Sequence, residues 1–195
     1  MRRMLLAIGN VACADDGIGP EIAHQMAGSD WRVLDAAISP ENVAGLIVRE
    51  APELLVVVDA ADMNLPPGAV RRIPHEAVDR MLASTHGLPL GFLIERLRGT
   101  ANRVVLVGVQ PERVALGEGL SPSAALAARK IVNLLQAGNV DDIPLLRVPA
   151  KAAELPSPSR SALRSGSKVA DLGGSSSRDG DIAAADANKY KARGR

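Results

Sequence analysis

Three side chains with the chemistry to bind a metal ion each stand next to an apolar segment of the sequence. Asp16 follows the apolar run 4–8, Asp59 ends the run 53–58, and His86 precedes an amphipathic stretch. Because the carboxyl ends of parallel strands meet at one edge of an α/β sheet, we predict that these side chains converge there. Two carboxylates and one imidazole would leave positions open on a divalent cation, whereas a structural site is normally closed by four ligands.

Each of these residues also has a purely structural interpretation. Asp15 and Asp16 could cap a helix that begins near Pro20, because carboxylates stabilise a helix N-terminus. Asp59 could form a turn, and an isolated histidine such as His86 is more often hydrogen-bonded within a fold than bound to a metal. The sequence contains no local metal motif such as His-Glu-x-x-His, so both interpretations stay open.

Other kinds of catalytic site are disfavoured by the sequence. Gly9 is followed by Val11 and Ala14 where a dinucleotide-binding loop would need glycines, and no Walker-type Gly-Lys-Ser/Thr motif occurs. No Gly-x-Ser-x-Gly motif of a serine hydrolase is present either. Cys13 is the only cysteine, which excludes an internal disulfide and a cysteine-based zinc knuckle, and we interpret it as a loop or packing residue.

Composition excludes several classes of partner. The chain has 195 residues, enough for one well-buried domain, and its formal net charge of +1 gives no global field for nucleic acid or an anionic membrane. Aromatic residues make up only 2% of the chain, which argues against stacking platforms for single-stranded nucleic acid. We find neither a secretory signal nor a membrane span, and we expect a cytoplasmic protein that binds neither nucleic acid nor membranes.

The hydrophobic pattern alternates between strands and helices. Apolar runs rich in Val, Leu and Ile predict strands at 4–8, 31–35, 53–59 and 103–109. A short piece at 69–73 predicts an edge strand, for which an antiparallel orientation is one alternative. Helical periodicity predicts helices at 20–27, 40–49, 75–82 and 88–97 and another from Ser121-Pro122, with a buried stripe of Leu126, Ile131, Leu134 and Leu135. The fold class is therefore α/β, a three-layer sandwich with a mostly parallel, twisted sheet of about five strands flanked by helices.

The composition changes near residue 149. Residues 149–195 are rich in Ser, Gly, Pro and charged side chains and offer almost nothing to bury. We predict one α/β domain over residues 1–148 and a disordered polar tail over 149–195.

A set of short motifs resembles the nickel–iron hydrogenase maturation endopeptidases. In chain order they are Ile8-Gly9-Asn10, Asp15-Asp16-Gly17-Ile18-Gly19-Pro20, Val58-Asp59-Ala60-Ala61-Asp62-Met63 with Pro67-Gly68, Thr85-His86-Gly87-Leu88-Pro89-Leu90, Val107-Gly108-Val109-Gln110-Pro111-Glu112 and Gly119-Leu120-Ser121-Pro122. Each motif alone is weak, but the set spans residues 3 to about 137 in the right order. The Asp-Asp-Gly and Asp-Ala-x-Asp-Met versions are most similar to the branch that processes the large subunit of hydrogenase 3.

This resemblance implies a cytoplasmic peptidase that removes a short C-terminal extension from the hydrogenase large-subunit precursor once nickel has been installed. It places the metal-contacting and catalytic roles on Asp16, Asp59 and His86, and the metal is expected to be nickel supplied by the substrate. Asp16 stands where some family members have Glu, so its carboxylate reaches less far. Asp15 is our reserve candidate for orienting the attacking water.

The chain departs from the family pattern after the second strand. Family members commonly have Asp-Gly-Gly there, whereas this chain has Asp35-Ala36-Ala37. Alanine would obstruct a close backbone approach or impose a different turn. This departure motivates the alternative hypothesis of a nickel-checking chaperone that has the same fold and no cleavage activity. An α/β hydrolase-like domain of unrelated specificity is a third possibility.

Overall fold

The computed structural model describes residues 1–77, 95, 97, 99–117 and 119–147. Its five strands are β1 (Arg3–Ala7), β2 (Arg32–Asp35), β3 (Leu54–Ala60), β4 (Val70–Ile73) and β5 (Arg103–Val109). The α-helices bounded within these residues are α1 (Ile18–Gln25), α2 (Glu41–Glu50) and α3 (Pro122–Gln136). Three short 3₁₀ helices accompany them, η1 (Ala14–Gly17), η2 (His75–Ala77) and η3 (Val140–Asp142).

The strands form one sheet in the order β2-β1-β3-β5-β4. β1 pairs in parallel with β2 and β3, and β3 pairs in parallel with β5. β4 is the antiparallel edge strand that the sequence predicted, because only a short turn separates it from β3 and no helical crossover fits between them. The predicted mostly parallel, five-stranded α/β architecture is confirmed.

Both faces of the sheet are buried, which explains the nearly continuous apolar runs in its central strands. Alternate residues of β1 and β3 point to opposite sides, so Leu5 and Val56 pack with α1 and α3, whereas Leu6 and Leu55 pack with Ile47 of α2. The helices on the two faces give the molecule its three layers.

One detail of the predicted last helix is wrong. Leu126, which we placed in its buried stripe, is 64% exposed. The buried face of α3 contains the predicted Ile131 and Leu135 together with Ala124, Ala127, Ala128 and Val132. Leu126 does not share the three- and four-residue spacing of this face, and it therefore lies on the solvent side of the helix.

A short segment after α3 covers the free edge of β4. The Arg72 amide donates to the Pro144 carbonyl, and the Leu146 amide donates to the Arg72 carbonyl, both at 2.8 Å. The Arg72 guanidinium also donates to the Ile143 carbonyl at 2.8 Å and forms an ion pair with Asp141. We call residues 143–146 the edge strap. Its Ile143 and Leu146 side chains are buried, so it belongs to the folded core.

Several predictions fall outside the described residues. They include His86, most of the helices predicted at 75–82 and 88–97, and the tail 149–195. Of those helices, the structure describes the 3₁₀ turn η2 and the helical positions Glu95 and Leu97. Among the described helices, none combines the length and the apolar character needed to cross a membrane.

Candidate functional site

The chain leaves β1 through a turn that only glycine fits. Gly9 has φ of +144°, and a Cβ at this position would lie 1.9 Å from the Asp16 carbonyl oxygen. The Gly9 amide donates to the Ala37 carbonyl at 2.9 Å, and the preceding Ile8 amide donates to the Val58 carbonyl at 2.9 Å. Gly9 thus allows η1 to fold back against the carboxyl end of β1, which places the adjacent aspartates Asp15 and Asp16 at this edge of the sheet.

Asp16 lies at the carboxyl edge in a buried position. Only 4% of the residue is exposed, and its Oδ2 accepts a hydrogen bond from the Asn10 amide at 3.0 Å. The same amide approaches the Asp16 carbonyl at 3.2 Å, which ties η1 to the exit of β1. Asp16 forms no ion pair with a described Lys, Arg or His side chain. A carboxylate oxygen is one of the ligand types that divalent metal ions accept.

Asp59 occupies the end of the neighbouring strand β3. It is 3% exposed, and its Oδ1 accepts from the Ala60 amide at 2.8 Å. Because η1 contacts β3, Asp16 and Asp59 belong to the same edge of the sheet. The structure therefore places two of the three predicted residues on the predicted edge.

His86 lies outside the described residues, so the three-residue site stays a prediction. In the parts of the chain that the structure describes, no three His, Cys, Asp or Glu side chains come together as a possible metal site. Asp16 and Asp59 alone would provide an incomplete ligand set, and the prediction needs a third ligand from the segment that contains His86.

Asp15 has surroundings very different from those of Asp16. It is 1% exposed and accepts four hydrogen bonds, from the Glu112 and Arg113 amides at 2.8 and 3.3 Å and from the Ser121 amide and hydroxyl at 2.6 and 2.8 Å. Neither Asp15 nor Asp16 makes a side-chain cap to α1, so the capping interpretation is wrong. Since the described donors occupy both Asp15 oxygens, this residue is poorly suited to orient a water, and we assign it a role in holding the loops.

The pKa of Asp15 reflects these donors. Burial by itself raises the pKa of a carboxyl group, but the Ser121 amide, the Glu112 amide, the Ser121 hydroxyl and the Arg113 amide stabilise the ionised form and hold the pKa of Asp15 below its ordinary value. Asp15 is therefore a buried, permanently charged carboxylate at neutral pH. We call Asp15 and its four donors the Asp15 clamp.

Ser121 links the clamp to α3. Its Oγ donates to Asp15 and also accepts from the Ala124 amide at 3.2 Å as the N-cap of the helix. Ser123, two residues later, donates from its Oγ to the Glu112 carboxylate at 3.0 Å. Sequence reasoning identified Ser121-Pro122 as a helix start but missed its bond to Asp15, because the partners are 106 residues apart.

The Asp35-Ala36-Ala37 turn adopts a strained conformation. Ala37 has φ of +46°, in the left-handed region that glycine enters readily and alanine enters at a cost of roughly 1–2 kcal/mol. Its amide donates to the Asp35 carboxylate at 3.0 Å, and its carbonyl accepts from Gly9. The chain therefore forms a left-handed turn here with alanine, and the hydrogen bonds of the Ala37 amide and carbonyl maintain this strained conformation.

An open cavity of about 370 Å³ lies at this edge of the sheet. Apolar side chains of Val11, Pro20 and Leu120 line it together with the polar side chains of Glu21, His24 and Asp35. Its walls come from three places in the sequence: the β1 exit with α1, the end of β2, and the loop before α3. A cleft of this size and mixed polarity can accommodate a short extended stretch of peptide.

Comparison with known proteins agrees with this fold. A family model described as "Hydrogenase maturation protease" (HycI) matches residues 18–137, more than half of the chain. The hydrogenase 3 maturation protease of Escherichia coli strain K12 is 37% identical over 118 residues, which cover 58% of this chain and 76% of the relative.

Comparison with solved structures also finds hydrogenase maturation proteases. The solution structure of the endopeptidase HycI from Escherichia coli superposes with a TM-score of 0.70 at 31% identity, covering 76% of this chain and 98% of that chain. The crystal structure of the [NiFe] hydrogenase maturation protease HycI from Thermococcus kodakarensis KOD1 gives a TM-score of 0.63 at 26% identity, covering 71% and 92%. The chain therefore belongs to the hydrogenase maturation protease family.

Proposed function

We propose that this protein is an endopeptidase that removes the C-terminal extension of a nickel–iron hydrogenase large-subunit precursor after nickel insertion. The observation that carries the proposal is a pair of buried carboxylates at the carboxyl edge of a hydrogenase maturation protease fold: Asp16 in η1, beyond the end of β1, and Asp59 near the end of the adjacent parallel strand β3. The motif resemblance assigns both residues to the site, and the open cavity lies at the same edge of the sheet.

Nickel enters this proposal as part of the substrate. Asp16, Asp59 and His86 would contact the nickel of the precursor, and this contact would bring the scissile peptide to the carboxyl edge of the sheet. A divalent metal polarises a carbonyl oxygen and lowers the pKa of a bound water, and either effect favours hydrolysis near neutral pH. A precursor without nickel would lack this contact and escape cleavage.

The test compares apo and nickel-loaded precursor incubated with the protein. Intact-mass measurement is expected to show loss of a C-terminal peptide from the nickel-loaded precursor only. Equal cleavage of the apo precursor would overturn nickel gating and leave a general peptidase. A stable complex with no mass change would support the nickel-checking chaperone instead.

Substitutions test the assigned residues. Asp16→Asn and Asp59→Asn keep the side-chain size but remove the charge, and we expect each to lower the cleavage rate by about 100-fold or more. Asp62→Asn is the matched control, because Asp62 is an exposed carboxylate three residues beyond Asp59. Asp16→Glu is expected to retain cleavage, since the motif resemblance places Glu at this position in some family members.

His86→Ala tests the third ligand. We expect it to abolish processing while the thermal unfolding of the enzyme stays close to that of the wild type, because an imidazole that binds metal in a surface cleft contributes little to the core. Full activity in this variant would remove His86 from the site.

A further inference from the structure

The loop between β5 and α3, residues 110–121, is held at both of its ends by one carboxylate. Glu112 and Arg113 at the start of the loop donate to Asp15 through their amides, and Ser121 at its end donates through its amide and hydroxyl. Few side chains other than a carboxylate offer two oxygens that can accept from several donors at once. The separation of the two ends of the loop is therefore set by the geometry of Asp15.

The middle of the loop is fastened to the segment just before Asp15. The Ala14 amide donates to the Gly117 carbonyl at 2.8 Å, and the Gly117 amide donates to the Ala12 carbonyl at 3.0 Å. The Asp15 amide adds a bond to the Arg113 carbonyl at 3.2 Å. The loop is thus bonded to the β1 exit at Arg113 and Gly117 as well as at its two ends, although many of its described side chains are exposed.

This fastening determines the shape of the cavity at the carboxyl edge. Gly119 and Leu120 of the loop line the cavity opposite Pro20 and Asp35. If the loop moved away, the cavity would lose this wall. Burying a carboxylate costs free energy unless hydrogen-bond donors replace its water molecules. The donors to Asp15 belong to the loop, so the Asp15 clamp favours the loop position in which these donors reach the carboxylate.

We propose that Asp15 is a positioning residue, which fixes the β5–α3 loop as one wall of the cleft that receives the cleaved segment of the protein substrate. This inference rests on the proposed function. Asp15 acts through the loop and makes no contact with the substrate. Loss of the clamp therefore weakens substrate binding more than it slows the chemical step.

The experiment measures kcat and KM for nickel-loaded precursor with the wild type, Asp15→Asn, Ser121→Ala and Ser121→Thr. Asp15→Asn replaces one acceptor oxygen by a donor group and is expected to raise KM at least 10-fold while kcat changes less than 3-fold. Ser121→Ala removes the hydroxyl and is expected to raise KM about 3-fold. Ser121→Thr restores the hydroxyl and should return KM to the wild-type value, and the split between KM and kcat separates positioning from a general loss of structure.

Asp141→Asn is the matched control. Asp141 also holds a loop through its carboxylate, but it does so next to the amino end of β5, away from the cleft. It should leave KM unchanged. If Asp15→Asn is too unstable to assay, the Ser121 pair carries the test.

The outcomes separate the two proposals. A wild-type protein that does not cleave the precursor overturns the proposed function. A wild type that cleaves, together with Asp15→Asn and Ser121→Ala variants whose KM is unchanged or whose losses fall on kcat alone, overturns the positioning role. An equal rise of KM in Asp141→Asn would also overturn it, because the effect would then follow from general loosening of the fold.

Discussion

Two carboxylates hold loops against opposite ends of the strands, Asp15 at the carboxyl ends and Asp141 at the amino end of β5, and their hydrogen-bond partners differ. Asp15, at the carboxyl edge, is buried and accepts from three backbone amides and one hydroxyl. Asp141, near the amino end of β5, has a side chain that is 60% exposed and pairs with the guanidinium groups of Arg72 and Arg103. Both have a lowered pKa, Asp141 chiefly through its bond to Arg103.

The two arrangements differ in how accurately they fix the position of the loop. Two long arginine side chains can follow an exposed carboxylate as it moves, and water and salt weaken the pair. Backbone amides cannot follow a buried carboxylate, so the loop adopts the geometry that Asp15 dictates. The more rigid arrangement stands at the edge where the candidate site lies, which is where geometry has to be accurate.

The largest expected effect comes from removing the buried carboxylate. Asp15→Ala leaves four donors without their acceptor at a position that is 1% exposed, and we expect the free energy of unfolding to fall by about 3 kcal/mol or more. Urea denaturation, with Asp141→Ala alongside, provides the measurement. Equal losses of stability in the two variants would contradict the stated difference between Asp15 and Asp141.

Protonation of Asp15 in acid should lower the free energy of unfolding by less than Asp15→Ala does, because a protonated carboxyl group keeps its acceptor oxygens. The folded-state pKa of Asp15 is below its unfolded value of about 3.9. Its contribution to stability is therefore complete above that unfolded pKa and is lost as the pH falls through the folded pKa. The stability difference between wild type and Asp15→Asn should be constant from pH 7 to about 5 and should narrow below pH 4. A difference that widens in acid would contradict the assigned pKa shift.

Ser121→Ala is expected to cost about 1–2 kcal/mol. The substitution removes one donor to Asp15 and the N-cap of α3 together. A double-mutant cycle with Asp15→Asn should show coupling between the two positions. Strictly additive losses would mean that the hydroxyl supports the helix and contributes nothing to the clamp.

The smallest effect should come from the exposed pair. Asp141→Asn is expected to change stability by no more than about 1 kcal/mol, because ion pairs with this degree of exposure are screened. Raising the salt concentration to 1 M should remove most of that difference and should leave the effect of Asp15→Asn almost unchanged. Thermal unfolding in low and high salt checks both statements.

The sequence predicted the architecture well because local patterns determine it. Apolar runs located the parallel strands, and the short spacing before 69–73 identified the antiparallel edge strand. On the buried face of α3, Ile131 and Leu135 were predicted correctly, but Leu126 was wrong because large apolar side chains were weighted above alanine, and the alanines occupy this face.

The site was predictable only in part. The position of Asp16 and Asp59 at one edge followed from strand order and from the family motifs, while the third residue, His86, lies outside the described residues. The role of Asp15 could not be read from sequence, because its three partners lie about 100 residues away and all of them donate through backbone amides. Likewise, the sequence flagged Ala37 as unusual but could not show that alanine would take a left-handed turn there.

The edge strap also has a consequence for self-association. An uncovered strand edge offers unpaired amides and carbonyls to other strands and promotes aggregation. The strap occupies both backbone groups of Arg72 at the β4 edge, whereas β2 at the other edge is only four residues long, with Arg32 and Asp35 at its ends. A truncated form of this protein should therefore keep residues through Arg147, because a chain cut before Ile143 would lose buried side chains and expose a strand edge that recruits other copies.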